Sequence, residues 1–554
     1  MKVVIIGGGA AGISTATRLR RLNENAEILI LEKSGEFAVS GCGLTYYLSG
    51  EVRREELIGA SVEEMRELYN IEIRLNNEVT SINRRDKTVS IEGRGNETYD
   101  KLVIATGAYQ LRPDIDGVLA DNIFTVRNLE TVERIKNYIK DIDAKNAVIV
   151  GGGMIGIDTA EAFVKMGLKP VIVEAEGHLM RPLDGDMAAV LHNYLREKGI
   201  GLYLNEKVTA FGDRDVLLAS GIKIPYDLAV ISTGIKPDLK LTVLAELELG
   251  KSGGLKVDKQ MRTSDDDIFA AGDVVEVTNL ITGREERLSN AETAVKQARV
   301  IAEVLAGKDA AFGKTINSTI CKSFDLTIAS VGATEETLRN NGISYKKIHR
   351  YGKSHAAYYP GAETILLKLL FSDKGQILGA QAIGKDGVDK RMDIILAYMT
   401  LKGKVGDLSN ANTCYSPPFS TGRDMLGEAA AAAENLLSGQ DKLIYPEDID
   451  LENFNEEETI LIDVRPHKKF LEGHIPHAIN LPSEAIRNNL EVIPHEKRVI
   501  LYCNRGRRSY LSARLLNNRG FDNIFILSGG TDLYNEILED KQIRSESYER
   551  IVNM

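Results

Sequence analysis

The sequence predicts an α/β protein of several domains: a βαβ unit that occurs twice, an α+β segment after it, and a small separate α/β domain at the C-terminal end. Three observations carry this. An apolar strand, a Gly-rich turn, an amphipathic helix and a second apolar strand, Glu27 to Leu31, open the chain, and the same order returns 144 residues later. Alternating apolar stretches such as Thr364 to Phe371 fill the region from about 316 to 435. Five consecutive alanines within Glu428 to Leu437 predict a helix that Gly439 can cap, and the polar stretch Gln440 to Tyr445 predicts a linker. At roughly 150 residues per domain, 554 residues suffice for three or four.

Composition narrows the function classes. Hydrophobic residues make up 43% and charged residues 27%, and no apolar run reaches the roughly 20 residues of a membrane helix. Met1 leads directly into Val3-Val4-Ile5-Ile6 with no basic, apolar leader, so a cytoplasmic location is expected. Cysteines at 42, 321, 414 and 503 are too few and too dispersed for a disulfide framework or a CxxC metal site. His467, His474 and His477 lack metal-ligand spacing, and no metal is expected. A net charge of -11 argues against nucleic-acid binding, which needs basic surface, and points to a small substrate.

The glycine turns come first. Gly7-Gly8-Gly9-Ala10-Ala11-Gly12 fits GxGxxG directly after a strand. Such glycines permit a tight turn, close approach to a pyrophosphate and packing of the next helix, whose N-terminus attracts the anion. Glu32, followed by Lys33, ends the second strand 20 residues after Gly12, where a carboxylate can accept from a ribose hydroxyl. Gly151-Gly152-Gly153-Met154-Ile155-Gly156 repeats the device after Ala147 to Val150, and Glu174 ends the following strand. Two Rossmann-like nucleotide-binding domains are predicted. An acid at Glu174 suits a free 2′-hydroxyl and repels a 2′-phosphate, favouring NADH over NADPH.

One site for a flavin and one for a nicotinamide is the plan of the pyridine nucleotide-disulfide oxidoreductases, which the sequence resembles over roughly residues 1–435. Ala105-Thr106-Gly107 and Ser232-Thr233-Gly234 resemble that family's ATG-type turns, and Ala270-Ala271-Gly272-Asp273 resembles its second flavin motif. The resemblance implies FAD as cofactor, with Asp273 at the ribityl chain.

Ser40-Gly41-Cys42-Gly43-Leu44 lies where the family places its redox sulfur. Position 47, where dithiol members carry a second cysteine, is Tyr47, so no local dithiol can form. The sulfur must cycle as a mixed disulfide, a persulfide or a sulfenic acid. The single-cysteine pattern resembles coenzyme A disulfide reductases and NADH oxidases or peroxidases, with Thr45 departing from an expected proline. The resemblance to the coenzyme A enzymes implies a homodimer in which Tyr415, and either Tyr358 or Tyr359, reach the redox cysteine across the interface and assist a leaving thiolate. It also implies coenzyme A contacts at Arg18, Arg21 and Ser40. Arginine suits phosphate by bidentate donation. Cys321 is expected in the core, and Cys414 as incidental beside Tyr415.

From about Tyr445 to Tyr548 the sequence resembles a rhodanese domain. Asp463-Val464-Arg465 and Gly473-His474-Ile475-Pro476-His477-Ala478-Ile479-Asn480 match its upstream signatures, with His477 replacing a usual glycine. Cys503-Asn504-Arg505-Gly506-Arg507-Arg508 reads as a six-residue loop before a helix from about Ser509. Backbone N–H groups and the helix N-terminus can surround such a sulfur and stabilise a persulfide, and Arg508 and its neighbours add positive charge.

The expected fold is therefore α/β, with two Rossmann-like nucleotide-binding domains, an α+β dimerisation domain and a C-terminal rhodanese-like α/β domain. The expected boundaries are 1–112 with 230–315 for FAD, 113–229 for NAD(P)H, 316–437 for dimerisation, 438–447 for the linker and 448–554 for the rhodanese. The expected activity is NAD(P)H-dependent reduction of coenzyme A disulfide, coenzyme A persulfide or polysulfide through Cys42. Its rivals are an NADH oxidase or peroxidase using a sulfenic acid, and a redox-sensing regulatory protein.

Overall fold

The structure is a computed structural model and describes residues 1–552, with side chains through residue 545. Two compact units result: Met1–Ala175 with Glu206–Thr315, and Glu176–Asn205 with the chain from Ile316 onward.

In the first unit a wholly parallel sheet runs Ile268–Ala270, Lys101–Ile104, Lys2–Ile6, Glu27–Leu31, Glu72–Arg74. Val3, Val4 and Ile5 are fully buried, as continuous apolar runs require of strands covered on both faces. Ile268–Ala270 returns from far along the chain to pair with Lys101–Ile104, so one sheet is built from two distant segments. A second parallel arrangement contains Lys169–Glu174, Asn146–Val150, Leu228–Ile231 and Ile123–Phe124. The two glycine turns thus sit at the carboxyl ends of strands in two similar sheets, where open α/β sheets bind ligands.

In the second unit five antiparallel strands run in the order Ser318–Ser323, Leu326–Gly332, Ile377–Gly384, Thr364–Phe371, Lys346–Lys353. Cys321 lies on the first of these and is half-buried, not in the core: an edge strand has one covered face only. Helix Met425–Leu437 begins three residues before the expected Glu428, because the Asp424 side chain caps it by accepting from Leu426 N–H at 3.0 Å. Gly439 follows with φ +73°.

The C-terminal sheet is parallel, in the order Leu443–Ile444, Ile524–Leu527, Arg498–Tyr502, Thr459–Asp463, Ala478–Asn480. The stretch expected as linker therefore carries an edge strand, Leu443–Ile444, paired with Ile526 and Leu527. Polar neighbours hide a two-residue strand whose ladder partner lies about 80 residues away. His477 sits at φ +66°, the left-handed region that favours glycine. Its ring stacks on Phe454 at 5.2 Å and meets Glu456 at 2.8 Å, contacts a glycine could not make.

Residues 176–205 contribute helix Gly185–Glu197 to the second unit. Asn193 Nδ2 donates to the Glu536 carbonyl at 2.9 Å and His192 Nδ1 meets Asp540 at 3.2 Å, so this helix packs against the long helix Gly530–Val552. At its N-terminal end Asp184, Asp186 and Glu335 lie close enough to share a cation, and the fully buried Lys368 ammonium fills that position at 3.0, 2.7 and 2.5 Å. Burial alone would raise Asp186, yet Lys368 and His349 hold it well below the usual carboxylate range. Among the described residues no helix is long and apolar enough to cross a membrane.

Candidate active site

Strand Lys2–Ile6 delivers the chain into Gly7 at φ +109°, where a Cβ would stand 2.3 Å from the Ala105 carbonyl oxygen. A Cβ on Gly12 would stand 2.0 Å from the Gly7 carbonyl oxygen. Gly9 has open space instead, and helix Ala10–Leu22 starts there with no side-chain cap. Those free amides are what an anion meets. Glu32 holds the turn by accepting from Gly8 N–H at 2.7 Å and Ser34 N–H at 2.8 Å. Lys33 is exposed and pairs with Asp238 at 3.3 Å, whose carbonyl accepts from the Thr106 hydroxyl at 2.9 Å. Across the sheet, burial raises the Asp273 carboxyl above its ordinary range, opposed by Arg127 and a hydrogen bond with Ser289. Gly272 N–H donates to Gln297 Oε1 at 2.8 Å, leaving Gln297 Nε2 buried without a partner. Free turn amides, an acid at the strand end, a second, half-buried acid and an unsatisfied amide fit an FAD.

The second turn repeats this geometry. Gly151 stands at φ +110° with a Cβ position 2.4 Å from the Ser232 carbonyl oxygen, and that of Gly156 is 2.1 Å from the Gly151 carbonyl oxygen. Glu174 accepts from Gly152 N–H at 2.6 Å, the counterpart of Glu32 and Gly8. Gly153 and Gly234 have open space. The residues fit a second dinucleotide.

Cys42 is an exposed free thiol in the short turn Gly41–Gly43, just before helix Leu44–Ser49. Ser40 N–H donates to the Leu57 carbonyl at 2.8 Å, and a Cβ on Gly43 would stand 2.2 Å from Leu57 Cδ2, so this turn is pinned close to its neighbour. Tyr47 occupies the position of a second thiol. Lys136 lies 4.1 Å from its ring and donates to its carbonyl at 3.0 Å, and burial, with Glu133 beside it, raises the phenol.

Of the expected coenzyme contacts, Arg18 pairs with Glu303 at 2.6 Å, while Arg21 is exposed and donates to the Thr17 carbonyl at 3.1 Å. Arg20 between them is buried and donates to the carbonyls of Tyr69, Ala26 and Asn70, so the cationic run is partly structural.

Tyr358 and Tyr415, distant in sequence, come together. Ala356 N–H donates to the Pro417 carbonyl at 3.1 Å, tying their loops. Both phenols are exposed, and the neighbouring Tyr415 raises that of Tyr358. Tyr359 turns its ring edge-on to His355 at 5.6 Å.

Cys503 is buried at the end of strand Arg498–Tyr502. Gly506 N–H donates to its Sγ at 3.2 Å and Ser509 Oγ lies 3.6 Å from it. The helix starts at Arg507, earlier than expected, because Gly506 at φ +95° turns the chain directly into it. Arg507 and Arg508 are therefore first-turn residues, and Arg508 lies 3.7 Å from Glu484. Gly530 is packed below: a Cβ there would stand 2.3 Å from the Cys503 carbonyl oxygen. Thr531 N–H donates to that carbonyl at 2.9 Å.

Sequence reasoning missed Asp158, on the helix Met154–Lys165 after the second glycine turn. Burial, with Glu161 nearby, pushes its carboxyl up to about 7, and its Oδ1 is buried without a hydrogen-bond partner. An acid two residues past Gly156, flanked by apolar and small residues, was the available signal.

Residues 1–298 match the pyridine nucleotide-disulphide oxidoreductase family, 318–426 its dimerisation domain and 450–536 the rhodanese-like domain. Among curated relatives, an NADH oxidase of Methanocaldococcus jannaschii is 32% identical, covering 79% of this chain and 100% of its own. A coenzyme A disulfide reductase of Staphylococcus haemolyticus is 31% identical, covering 78% and 100%. Among solved structures, reduced CoADR-RHD of Bacillus anthracis superposes with a TM-score of 0.95 at 35% identity, covering 97% of this chain and 98% of that one. A NAD-dependent persulfide reductase from A. fulgidus superposes at 0.90 and 33% identity, covering 96% and 100%.

Proposed function

Because this chain belongs to the pyridine nucleotide-disulphide oxidoreductases and carries a rhodanese-like domain, we propose that it reduces the S–S bond of a coenzyme A disulfide, coenzyme A persulfide or polysulfide at Cys42, while Cys503 accepts or delivers sulfane sulfur. It is an FAD-dependent oxidoreductase. The observation that carries the reading is an exposed Cys42 with Tyr47 where a second thiol would stand, in one chain with the buried Cys503 and its cradle.

The proposed chemistry starts with the Cys42 thiolate attacking one sulfur of the substrate. A new S–S bond forms at Sγ, the substrate S–S bond breaks, and a thiol leaves as its thiolate. Tyr358 and Tyr415, brought in by the partner of a homodimer, protonate the leaving sulfur; the neighbouring Tyr415 phenol, which raises that of Tyr358, favours Tyr358 over Tyr359. Bound FAD supplies a two-electron connection between a reduced nicotinamide and the Cys42 sulfur. Glu32 and Asp273 would hold it, with Gly7, Gly9, Ala11, Gly12 and the Ala105-Thr106-Gly107 turn. Gly151, Gly153, Gly156, Gly234 and Glu174 would hold the nicotinamide, NADH in preference to NADPH. Arg21 and Ser40 would meet the coenzyme, and Arg18 by exchanging Glu303 for phosphate. The domain boundaries we favour are 1–112 with 230–315, 113–229, 316–437 and a rhodanese from 448, the short strand Leu443–Ile444 leading into it. Four cysteines dispersed along the chain suit the cytoplasm.

Replacing Cys42 by serine is expected to abolish NADH-dependent turnover and leave the flavin absorbance of the purified protein unchanged. Retained turnover would remove Cys42 from the reaction. The relationship to an NADH oxidase keeps one rival reading, in which a Cys42 sulfenic acid serves oxygen or peroxide reduction.

A further inference from the structure

Within the second unit the Cys503 cradle leans on a strand from outside its own domain. Strand Lys346–Lys353 forms an edge of the antiparallel sheet, and alternate side chains of a strand share one face. Lys347, His349, Tyr351 and Lys353 make up such a series. Lys347 pairs with Glu447 at 2.5 Å, His349 Nδ1 meets Ser528 Oγ at 3.0 Å, and the Tyr351 ring centre lies 5.2 Å from Arg505 Cζ. Ser528 leads through Gly529 into Gly530 and Thr531, the residues that close on the Cys503 carbonyl.

Arg505 is held at three points: Nε pairs with Asp532 at 2.5 Å, Nη1 donates to the Thr364 hydroxyl at 3.3 Å, and Cζ lies over the Tyr351 ring. A planar guanidinium suits a carboxylate and an aromatic face at once. Asp532 is itself part of the cradle, since its N–H donates to the Asn504 carbonyl at 3.1 Å and its Oδ1 accepts from Asn504 Nδ2 at 3.2 Å. Thr364 is the cross-strand partner of Lys353, whose Nζ donates to the same hydroxyl at 3.2 Å, so both lone pairs of that oxygen are taken. Of the three loop arginines, Arg505 therefore has its charge met by Asp532 and its side chain laid on the neighbouring sheet, while Arg507 and Arg508 stand in the first turn of the following helix.

The backbone gives this anchoring a consequence at the sulfur. The peptide unit between Arg505 and Gly506 carries the N–H that donates to Cys503 Sγ at 3.2 Å. A peptide unit is rigid, so its N–H points where the two flanking residues put it. Gly506, at φ +95°, fixes one side, and the anchored Arg505 fixes the other. An amide stabilises a thiolate or a persulfide only while it is aimed at the sulfur.

We propose that Arg505 is a positioning residue, and that Tyr351 and Thr364 of the dimerisation sheet, by anchoring it, hold the Gly506 amide on the Cys503 sulfur. The C-terminal domain's sulfur site is thus completed by a sheet of the preceding domain. This role deepens the reading that Cys503 carries sulfane sulfur.

The test uses the full-length holoenzyme. Thr364→Val removes the hydroxyl and keeps the shape, whereas Thr364→Ser keeps the hydroxyl; Tyr351→Leu removes the aromatic face, whereas Tyr351→Phe keeps it. Alkylation of Cys503 by iodoacetamide, resolved from the other cysteines by peptide mass spectrometry, is followed against pH. Its midpoint is expected to rise by about one pH unit in Thr364→Val and Tyr351→Leu, the scale of a weakened hydrogen bond to a thiolate, and to stay in place in Thr364→Ser and Tyr351→Phe. Sulfur transfer from thiosulfate to cyanide, without NADH, is expected to lose about ten-fold in kcat in the first pair at an unchanged KM for thiosulfate, as for a reacting group displaced and not removed. Reduction of the bound FAD by NADH, read from flavin absorbance, is expected to be unchanged in every variant. An unmoved alkylation midpoint in Thr364→Val would overturn the positioning role, and so would a raised KM at constant kcat, which would make Arg505 a contact for the anion. If the unaltered protein transfers no sulfur, the sulfur-carrying reading of Cys503 falls, and the alkylation midpoints alone decide whether the sheet aims the amide.

Discussion

Tyr358 and Tyr359 are neighbours in sequence and differ in what they touch. The Tyr358 phenol is raised by the neighbouring phenol of Tyr415, whereas the Tyr359 ring packs edge-on to His355. A phenol with a phenol partner can pass on a proton and be re-supplied, and one packed against a ring has a structural task. Tyr358→Phe is therefore expected to lower kcat for a disulfide or persulfide substrate by about a hundred-fold, the lower range for loss of a general acid. Its loss should shrink as the leaving thiol becomes more acidic and needs less help. Tyr359→Phe should stay near the unaltered rate. Steady-state kinetics with thiols of different acidity check this, and a larger loss at Tyr359 would reverse the assignment. The sequence left the two unresolved because Tyr358 and Tyr415 lie on separate loops, tied through Ala356 and Pro417, that no local pattern links.

Among the elements, helix Gly530–Val552 depends on a buried histidine. Leu179 N–H donates to His192 Nε2 at 3.0 Å, so the proton sits on Nδ1, facing Asp540 at 3.2 Å. Arg196 pairs with Asp540 at 2.8 Å, and Arg544 pairs with the same carboxylate. Burial holds the His192 ring down to about 4, with Arg544 and Arg196 acting the same way and Asp540 opposing them. A histidine depressed below its unfolded value near 6.5 contributes stability that is full above that pH and is lost as pH falls toward 4. The loss amounts to at most about 3 kcal/mol. Hydrogen exchange of the backbone over residues 530–545 should therefore quicken between pH 7 and pH 4.5, after correction for intrinsic rates, and His192→Gln should flatten the change. Protection constant across that range would contradict it. The strands flanking the glycine turns were legible in the sequence because continuous apolar runs and obligatory glycines have few other uses. This helix contact was not, since His192 and Asp540 are far apart in the chain and neither carries a local signature.

For the whole molecule, the layout of two nucleotide-binding sheets, a dimerisation domain and a rhodanese domain followed from motifs whose glycines and cysteines are fixed by backbone geometry: Gly7 and Gly151 by close approach, Cys503 by the amide of Gly506. The strand Leu443–Ile444 escaped because two residues carry no periodicity, and Asp158 escaped because burial, not residue type, shifts its titration. Joining a reductase and a sulfur carrier in one chain raises the effective concentration of one reactive cysteine near the other. That fusion argues for a persulfide over a plain disulfide, and the chemistry can be read directly. The decisive measurement is anaerobic NADH oxidation by the purified protein with coenzyme A disulfide, coenzyme A persulfide and polysulfide supplied separately, beside an aerobic control without sulfur substrate. Turnover with a sulfur substrate, fastest with a persulfide and slow under air alone, is the predicted result; turnover only with oxygen or peroxide would contradict it.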